Sequence, residues 1–187
     1  MGRKILRCGG EAMKWIRNLL VGSLVVVAVL LAVGMLLPSG FKVQRSVDFA
    51  AAPERIYPLI ADPREWKRWS VWNRRDPAMA MQYSGASSGA GARWVWKSAS
   101  EGNGEMEFTS AVPDERIDYA LTFPDMGMRS TGQLRLEPTG SGTRVTWTNE
   151  GDMGGNPVNR YFGLFMDRLV GPDFEAGLKN LKALVDG

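Results

Sequence analysis

The sequence predicts an α+β domain that follows a single transmembrane helix. Three observations support this prediction. Residues 19–37 form an uncharged apolar run, most of residues 41–149 alternate between apolar and polar side chains, and residues 157–187 return to helical spacing. A period of two predicts strands with one covered face, and a period near 3.6 predicts the helix that covers them.

The apolar run, LLVGSLVVVAVLLAVGMLL, is nineteen residues long. As a helix it spans about 28 Å, close to the thickness of the hydrocarbon core of a bilayer. An uncleaved membrane anchor is the favoured interpretation, because the run is longer than the apolar core of most signal peptides and no small-residue cleavage site follows it. A cleaved signal peptide and a buried core helix are the alternatives.

Basic residues crowd the flank before this run. The flank contains Arg3, Lys4, Arg7, Lys14 and Arg17. After the run only Lys42 and Arg45 lie close, so the positive-inside rule predicts a cytoplasmic N-terminus and a domain on the other side of the membrane. The expected organisation is a basic cytoplasmic flank at 1–18, a transmembrane helix at 19–37 and a folded domain at 41–187.

The formal net charge of +3 resides in the N-terminal part of the chain. Residues 1–41 hold five Lys/Arg and one Asp/Glu, whereas residues 42–187 hold eighteen and nineteen. A nucleic-acid-binding domain needs clustered positive charge, so the near-neutral domain argues against that class of function. The one cysteine, Cys8, precedes the apolar run, so the domain is expected to be stable without a disulfide.

The domain begins with a strand and two short helices. Phe41, Val43, Val47 and Phe49 share one face of the predicted strand. Pro53 suits the first turn of a helix that carries Ile56, Leu59 and Ile60, and Asp62-Pro63 separates it from a second short helix that carries Trp66 and Trp69.

About six strands are expected next. Met106, Phe108, Ser110 and Val112 are predicted to share a strand face, as are Ile117, Tyr119, Leu121 and Phe123. The clearest hairpin places Leu134 and Leu136 before a Pro-Thr-Gly-Ser-Gly turn and Val145 and Trp147 after it.

A long C-terminal helix is predicted to cover the sheet. Phe174, Leu178, Leu181 and Val185 recur at helical offsets, and Phe162, Phe165, Met166 and Leu169 form an earlier apolar stripe. Gly171-Pro172 is expected to kink or split this helix, because proline removes a helical hydrogen bond.

Four segments in this order resemble the START-like (SRPBCC) superfamily, in its polyketide cyclase/dehydrase and lipid-transport group. They are VQRSVDFAAAPERIYPLIADPREWKRWSVWNRRDP, GAGARWVWKS, GSGTRVTWTNEGDM and GPDFEAGLKNLKALV. The resemblance implies a helix-grip fold, in which a curved antiparallel sheet surrounds a long C-terminal helix. It also implies an internal cavity for lipids, sterols, polyketides or other apolar molecules. The resemblance and the Ala/Gly/Arg-rich composition together indicate a bacterial source, and with the charge asymmetry they predict a single-pass protein of the inner membrane with its domain on the periplasmic or extracellular side.

The chain has no histidine, which excludes Ser-His-Asp triads and histidine-based metal sites. Neither a metal nor a cofactor is expected. Glu105 and Glu107 share a strand face but are interpreted as a solvated edge, and Asp173 and Glu175 are interpreted as residues near a helix start.

Arg45 is predicted on the apolar face of the first strand, where a guanidinium needs a partner such as Glu150, Asp152 or an acidic ligand group. A structural ion pair and a register break that exposes Arg45 are the alternatives. Arg45, Tyr119 and Asp173 are the candidates for catalysis.

Apolar side chains of the domain are candidates for lining a cavity, because Met fills irregular gaps and Trp adds area with one polar group. The candidate ligand-binding residues are Trp69, Met106, Phe108, Tyr119, Met126, Met128, Phe165, Met166 and Phe174. The favoured function is a membrane-tethered module that binds or transfers a lipid or another apolar small molecule. A cyclase- or dehydratase-type enzyme and a non-catalytic envelope or signalling domain are the alternatives.

Overall fold

The structure, a computed structural model, describes residues 8–187, with side chains from residue 13 onward. This part of the chain contains seven strands, five α-helices and one short 3-10 helix at Pro124–Met126. The helices are α1 (Cys8–Leu36), α2 (Pro53–Ala61), α3 (Trp66–Trp69), α4 (Val71–Arg75) and α5 (Pro157–Asp186). The strands are β1 (Gly40–Phe49), β2 (Ala80–Gly85), β3 (Ala92–Lys97), β4 (Gly104–Val112), β5 (Arg116–Phe123), β6 (Met128–Thr139) and β7 (Gly142–Asp152). The predicted order of elements is confirmed, and α4 is an additional short helix.

The strands form one antiparallel sheet in the order β1-β7-β6-β5-β4-β3-β2. One face is buried, as the alternation predicts: Val43, Ile117, Leu134 and Val145 are fully inaccessible to solvent. Helix α5 and the short helices cover this face, which confirms the α+β helix-grip architecture.

Strand β4 departs from the predicted alternation. A bulge between Phe108 and Ser110 shifts its register against β5, so Ala111 pairs with the buried Ile117 and packs against the core. The extra residue of a bulge reverses which side chains face inward beyond it. The prediction that Ser110 and Val112 share the face of Phe108 was therefore wrong.

The β6–β7 hairpin has a tighter turn than predicted. Thr139 pairs with Gly142, so only Gly140 and Ser141 connect the strands, and Pro138 lies within β6. The ladder between β5 and β6 ends at Arg135, which leaves Pro138 on a section of β6 that has a neighbour on one side only. A proline is tolerated there because no hydrogen bond is lost.

Helix α5 runs through Gly171 and Pro172 as one helix of 30 residues, so the expected split does not occur. The Asn156 side chain caps its start by accepting a hydrogen bond from the Val158 amide at 2.9 Å. The buried residues of its second half are Gly171, Phe174, Gly177, Leu178, Leu181 and Val185.

Helix α1 is long and apolar enough over Met13–Leu36 to cross a membrane, a property that membrane anchors share with signal sequences. It begins earlier than the predicted span of 19–37. Arg3, Lys4 and Arg7 of the predicted flank lie outside the described residues, whereas Lys14 and Arg17 lie within α1.

Candidate ligand cavity

A cavity of about 190 Å³ lies between the buried face of the sheet and the helices α3, α4 and α5. Its walls are almost entirely apolar. Five methionines contribute to them, Met79, Met81, Met106, Met128 and Met166. The aromatic residues of the walls are Phe41, Trp66, Trp72, Trp94, Trp96, Tyr119, Phe123, Trp147 and Phe174.

The pairing of the strands explains where the cavity lies. Trp94 pairs with Met106, Met106 with Leu121, and Leu121 with Ser130, so one row across the sheet forms its floor. Residues directly opposite one another on antiparallel strands point to the same face, which makes this row continuous. The row continues to Gly151 of β7, next to Phe41 of β1, at the end of the sheet nearest α1.

Two aromatic rings form the boundary between the cavity and the core. Trp147 of β7 stacks on Phe174 of α5, with 4.0 Å between ring centroids and an interplanar angle of 12°. A Cβ at Gly177 would approach the Trp147 ring to 3.2 Å, so a glycine at this position lets α5 pack closely on the sheet. The stack fixes the position of α5 over the cavity floor.

Tyr119 supplies the principal polar group of the floor. Its hydroxyl accepts hydrogen bonds from Trp147 Nε1 at 2.9 Å and Asn149 Nδ2 at 3.3 Å, and donates to the Thr148 carbonyl at 3.3 Å. Burial raises the pKa of Tyr119 to about 12, against the effect of the two donated hydrogen bonds. The phenol therefore stays protonated at neutral pH and does not act as a base, and its hydroxyl is held by three hydrogen bonds within the protein.

Gly132 makes room for this tyrosine. A Cβ at Gly132, which pairs with Tyr119 across β5 and β6, would collide with the phenol ring. Any side chain at this position must displace the ring or the strand. Gly132 is thus a positioning residue that the sequence analysis did not identify.

A charged cluster lies beside the cavity, where α4 meets α5. Arg75 of α4 lies 3.3 Å from Glu101 and also pairs with Asp173 of α5. Glu101 is the one charged residue of the cavity wall among the described residues, and its side chain is only 14% exposed. The ion pair between Arg75 and Asp173 links α4 to α5 beside the cavity.

Five of the nine ligand-binding candidates contribute to the cavity wall: Met106, Tyr119, Met128, Met166 and Phe174. The other four lie elsewhere. Trp69 and Phe108 are fully buried in the core, and Met126 and Phe165 are 60% and 50% exposed on the surface. Their side chains do not contribute to the wall, because parity along a strand or helix gives the face but not the depth of a side chain.

The three catalytic candidates are not brought together. Tyr119 lies in the cavity, whereas Arg45 and Asp173 lie outside its wall. Arg45 binds Asp167 of α5 through two hydrogen bonds of 2.7 and 3.0 Å, so its partner is neither Glu150 nor Asp152. This contact raises the pKa of Arg45 and lowers that of Asp167.

Asp173 and Glu175 lie in the middle of α5, not near a helix start as predicted. Glu175 pairs with Lys179 at 2.5 Å, and Glu105 pairs with Arg93 at 2.5 Å on the outer face of the sheet. Within residues 13–187 no group of three or more His, Cys, Asp or Glu side chains is arranged to hold a metal ion.

Several wall residues were missed by the sequence analysis. Met79, Met81, Trp94, Trp96 and Trp147 all contact the cavity. A sequence pattern could have identified Trp94 and Trp96, because they alternate with Val95 along β3. This strand pairs with β4, which carries Met106. Met79 precedes β2, where no periodicity identifies its direction.

Residues 40–186 match the family described as polyketide cyclase/dehydrase and lipid transport. The chain belongs to this family. An uncharacterised protein of Mycobacterium tuberculosis is 28% identical over 115 residues, which are 56% of this chain and 62% of the relative. An uncharacterised protein of Mycobacterium bovis is similar to the same extent. The chain therefore spans less than two thirds of these relatives.

Solved structures of the polyketide cyclase/dehydrase family fold resemble this protein. Protein CV1439 from Chromobacterium violaceum has a TM-score of 0.53 and 23% identity, and covers 78% of this chain and 97% of its own. The di-domain ARO/CYC StfQ from the steffimycin biosynthetic pathway has a TM-score of 0.58 and 14% identity, and covers 78% of this chain and 51% of its own. These similarities establish the fold, and the family fold suggests binding of an apolar ligand.

Proposed function

We propose that this protein is a membrane-tethered module that binds a single apolar small molecule, or one chain of a lipid, in the cavity beneath α5. The observation that carries this proposal is the composition of the cavity wall. Five methionines and nine aromatic residues surround the space, and the polar groups of the wall are the Tyr119 hydroxyl and the side chains of Ser70, Asn73, Glu101, Ser130 and Asn149. Pockets of this kind bind through buried apolar area and use a few polar groups to orient the ligand.

The size of the cavity limits the ligand. At about 190 Å³ it is larger than an engineered cavity of about 150 Å³ that takes up benzene, but smaller than the roughly 300–1,000 Å³ typical of sites for drug-sized molecules. A ring system or a section of one acyl chain fits, whereas a whole two-chain lipid does not. The flexible methionine side chains provide the means to enlarge the space on binding.

The tether part of the proposal rests on α1. Its sides are exposed along the whole of Met13–Leu36 except at Gly34, so they require a hydrophobic environment. A domain held at a bilayer meets apolar molecules where they are concentrated. Cyclase-type catalysis has less support, because the hydroxyl of Tyr119 is already bonded in three directions and its pKa is about 12.

Photo-crosslinking in a lipid environment tests this function. The full chain is placed in lipid nanodiscs with a fatty acid that carries a diazirine near its methyl end, irradiated and digested, and the labelled peptides are identified by mass spectrometry. We expect adducts on Met81 and Met106, which are buried or half-buried wall residues of two different strands.

Two matched tryptophan substitutions provide the control. Met128→Trp fills the cavity and is expected to lower labelling of these peptides about tenfold, whereas Met126→Trp adds the same side chain on the exposed surface two residues away. Adducts confined to α1 and to the surface of α5, or equal labelling of both variants, would contradict ligand binding in the cavity.

A further inference from the structure

Four apolar side chains on the first half of α5 are exposed on one face. Val158, Phe162, Phe165 and Leu169 are spaced by four, three and four residues and are 49%, 59%, 50% and 62% exposed. This spacing places them on a single stripe of the helix. We name these four residues the outer stripe. A contiguous apolar surface of this kind on a folded domain marks an interaction site.

The same face of α5 changes character farther along. Phe162 is followed at intervals of seven residues by Leu169, Ala176 and Ala183, so large apolar side chains give way to alanines. The buried residues of the second half, such as Leu178, lie on the opposite face. The outer stripe is thus confined to the half of α5 that adjoins α1.

The start of α5 is packed on the end of α1. Among residues 13–36 only Gly34 is buried, and a Cβ at Gly34 would collide with Pro157 and Tyr161 of α5. The Tyr161 hydroxyl donates to the Leu30 carbonyl at 2.7 Å. The Arg160 guanidinium donates to the carbonyl of Met35 at 2.7 Å. A small residue at the crossing permits this close approach of two helices.

These contacts determine the depth of α5 relative to a membrane. Leu30 lies six residues before Leu36, the end of α1, which corresponds to about 9 Å along the helix axis. If α1 crosses a bilayer, the first turns of α5 lie at the boundary between hydrocarbon and headgroups. Tyr161 and Arg160 are residue types that favour this boundary.

The exposed sides of α1 and the outer stripe are neighbouring apolar surfaces, and the same environment can shield both from water. The apolar residues of α1 from Leu19 to Leu36 are mostly more than half exposed, and lipid is the solvent that suits all sides of such a helix. A lipid bilayer is therefore one partner that explains both the apolar sides of α1 and the outer stripe of α5. A helix with an apolar face and a polar opposite face lies in the plane of such a surface.

We propose that the outer stripe inserts into the leaflet on the domain's side of the membrane, so that the first half of α5 is an interfacial helix. The proposal rests on the tether in the proposed function. It has a consequence for the cavity, because Met166 and Val170 follow Phe165 and Leu169 in the sequence and form part of the cavity wall. The part of the cavity wall that α5 forms then lies beside lipid, the phase in which apolar molecules dissolve.

Spin labels on single cysteines test this insertion in the full chain. Cys8→Ser provides the background, and the labelled variants Phe165→Cys, Ala183→Cys and Val27→Cys are placed in nanodiscs of phosphatidylcholine and phosphatidylglycerol. Collision with oxygen, which dissolves in lipid, and with a water-soluble nickel complex is measured by power saturation. Ala183 is the matched control because it lies on the same face of α5, 18 residues beyond Phe165 or about 27 Å.

We expect the labels at positions 27 and 165 to favour oxygen, and the nickel accessibility at 165 to be at least threefold lower than at 183. Leu169→Cys is expected to repeat the result for 165. Equal nickel accessibility at 165 and 183, with 27 in lipid, would overturn insertion and leave ligand binding in the cavity unaffected. Exclusion of both reagents at 165 would overturn it in favour of a protein partner, and a water-accessible label at 27 would overturn the tether itself.

Discussion

The two halves of α5 have similar apolar spacing and opposite surroundings. In the second half Phe174, Leu178 and Leu181 are at most 3% exposed and face the sheet, whereas in the first half Phe162 and Leu169 are about 60% exposed. Where the first half faces the sheet, Asp167 of α5 forms an ion pair with Arg45 of β1. Helical spacing in the sequence identifies an apolar face of α5. It does not show whether that face packs on the sheet or stays exposed on the outside of the domain.

The largest difference between the halves is expected in stability. Leu178→Ala removes a fully buried side chain and should lower the free energy of unfolding by about 2–5 kcal/mol. Phe162→Ala removes a larger side chain that is 59% exposed and should change stability little in detergent. Urea unfolding followed by tryptophan fluorescence measures both. A comparable loss for the two variants would show that the exposed face of the first half, which carries Phe162, also packs on protein.

Alkaline pH should weaken the sheet beneath the buried half, since Trp147 stacks on Phe174 and donates to Tyr119. The pKa of Tyr119 is about 12, against about 10 in an unfolded chain. The raised pKa stabilises the fold fully below pH ~10, and this stabilisation, about 2–3 kcal/mol, is lost as pH rises through ~12.

Unfolding in urea between pH 9 and 12 measures this loss, with Tyr119→Phe as the comparison. The variant should lose less stability over that range. Burial also raises the pKa values of Tyr57 and Tyr83. These two tyrosines are expected to cause the remaining decrease of the free energy of unfolding with pH in both proteins. An unchanged slope in the variant would show that Tyr119 is not the buried phenol responsible.

A substitution at Gly132 tests how tightly the Tyr119 ring is held in the floor of the cavity. Gly132→Ala places a Cβ against the Tyr119 ring and is expected to cost about 1–3 kcal/mol and to alter the near-ultraviolet circular dichroism of the aromatic residues. Gly140→Ala is the matched control, because nothing lies within 4 Å of its Cβ. Equal stability of the two variants would show that the ring shifts without cost.

The smallest effect is expected where the first half of α5 meets β1. The Arg45 guanidinium lowers the pKa of Asp167, so the ion pair stabilises the fold above the unfolded pKa of ~3.9 and is lost as pH falls through the lowered value. Asp167→Asn should reduce stability slightly at pH 7 and flatten its decline in acid. Thermal melts at pH 3 and pH 7 measure this, and a stability loss as large as that of Leu178→Ala would contradict the assignment of a surface ion pair.

Much of the fold follows from local periodicity. The parity of β1 correctly places Arg45 on the face of Val43, and the alternation in β5 places Tyr119 inward. The partner of Arg45 could not be predicted, because Asp167 lies 122 residues away in the sequence. It is on α5, and packing determines which face of this helix meets β1. The bulge after Phe108 has no periodic signal, so the inward position of Ala111 could not be predicted either.

The cavity was harder to predict than the sheet. The chemistry of its wall, methionine and tryptophan, is evident in the composition, but membership of the wall depends on the distance between two elements. Trp69 and Trp66 illustrate this: both are buried on the same short helix, yet only Trp66 reaches the cavity. Their rings pack against each other, with 4.6 Å between centroids.

Native mass spectrometry of the full chain, released from nanodiscs, tests the central claim most directly. If the cavity beneath α5 binds an apolar molecule, the wild-type protein and Met126→Trp should each carry one additional small mass, and Met128→Trp should carry none. A folded wild-type protein that is always free of bound molecules, even with excess fatty acid in the bilayer, would contradict the claim.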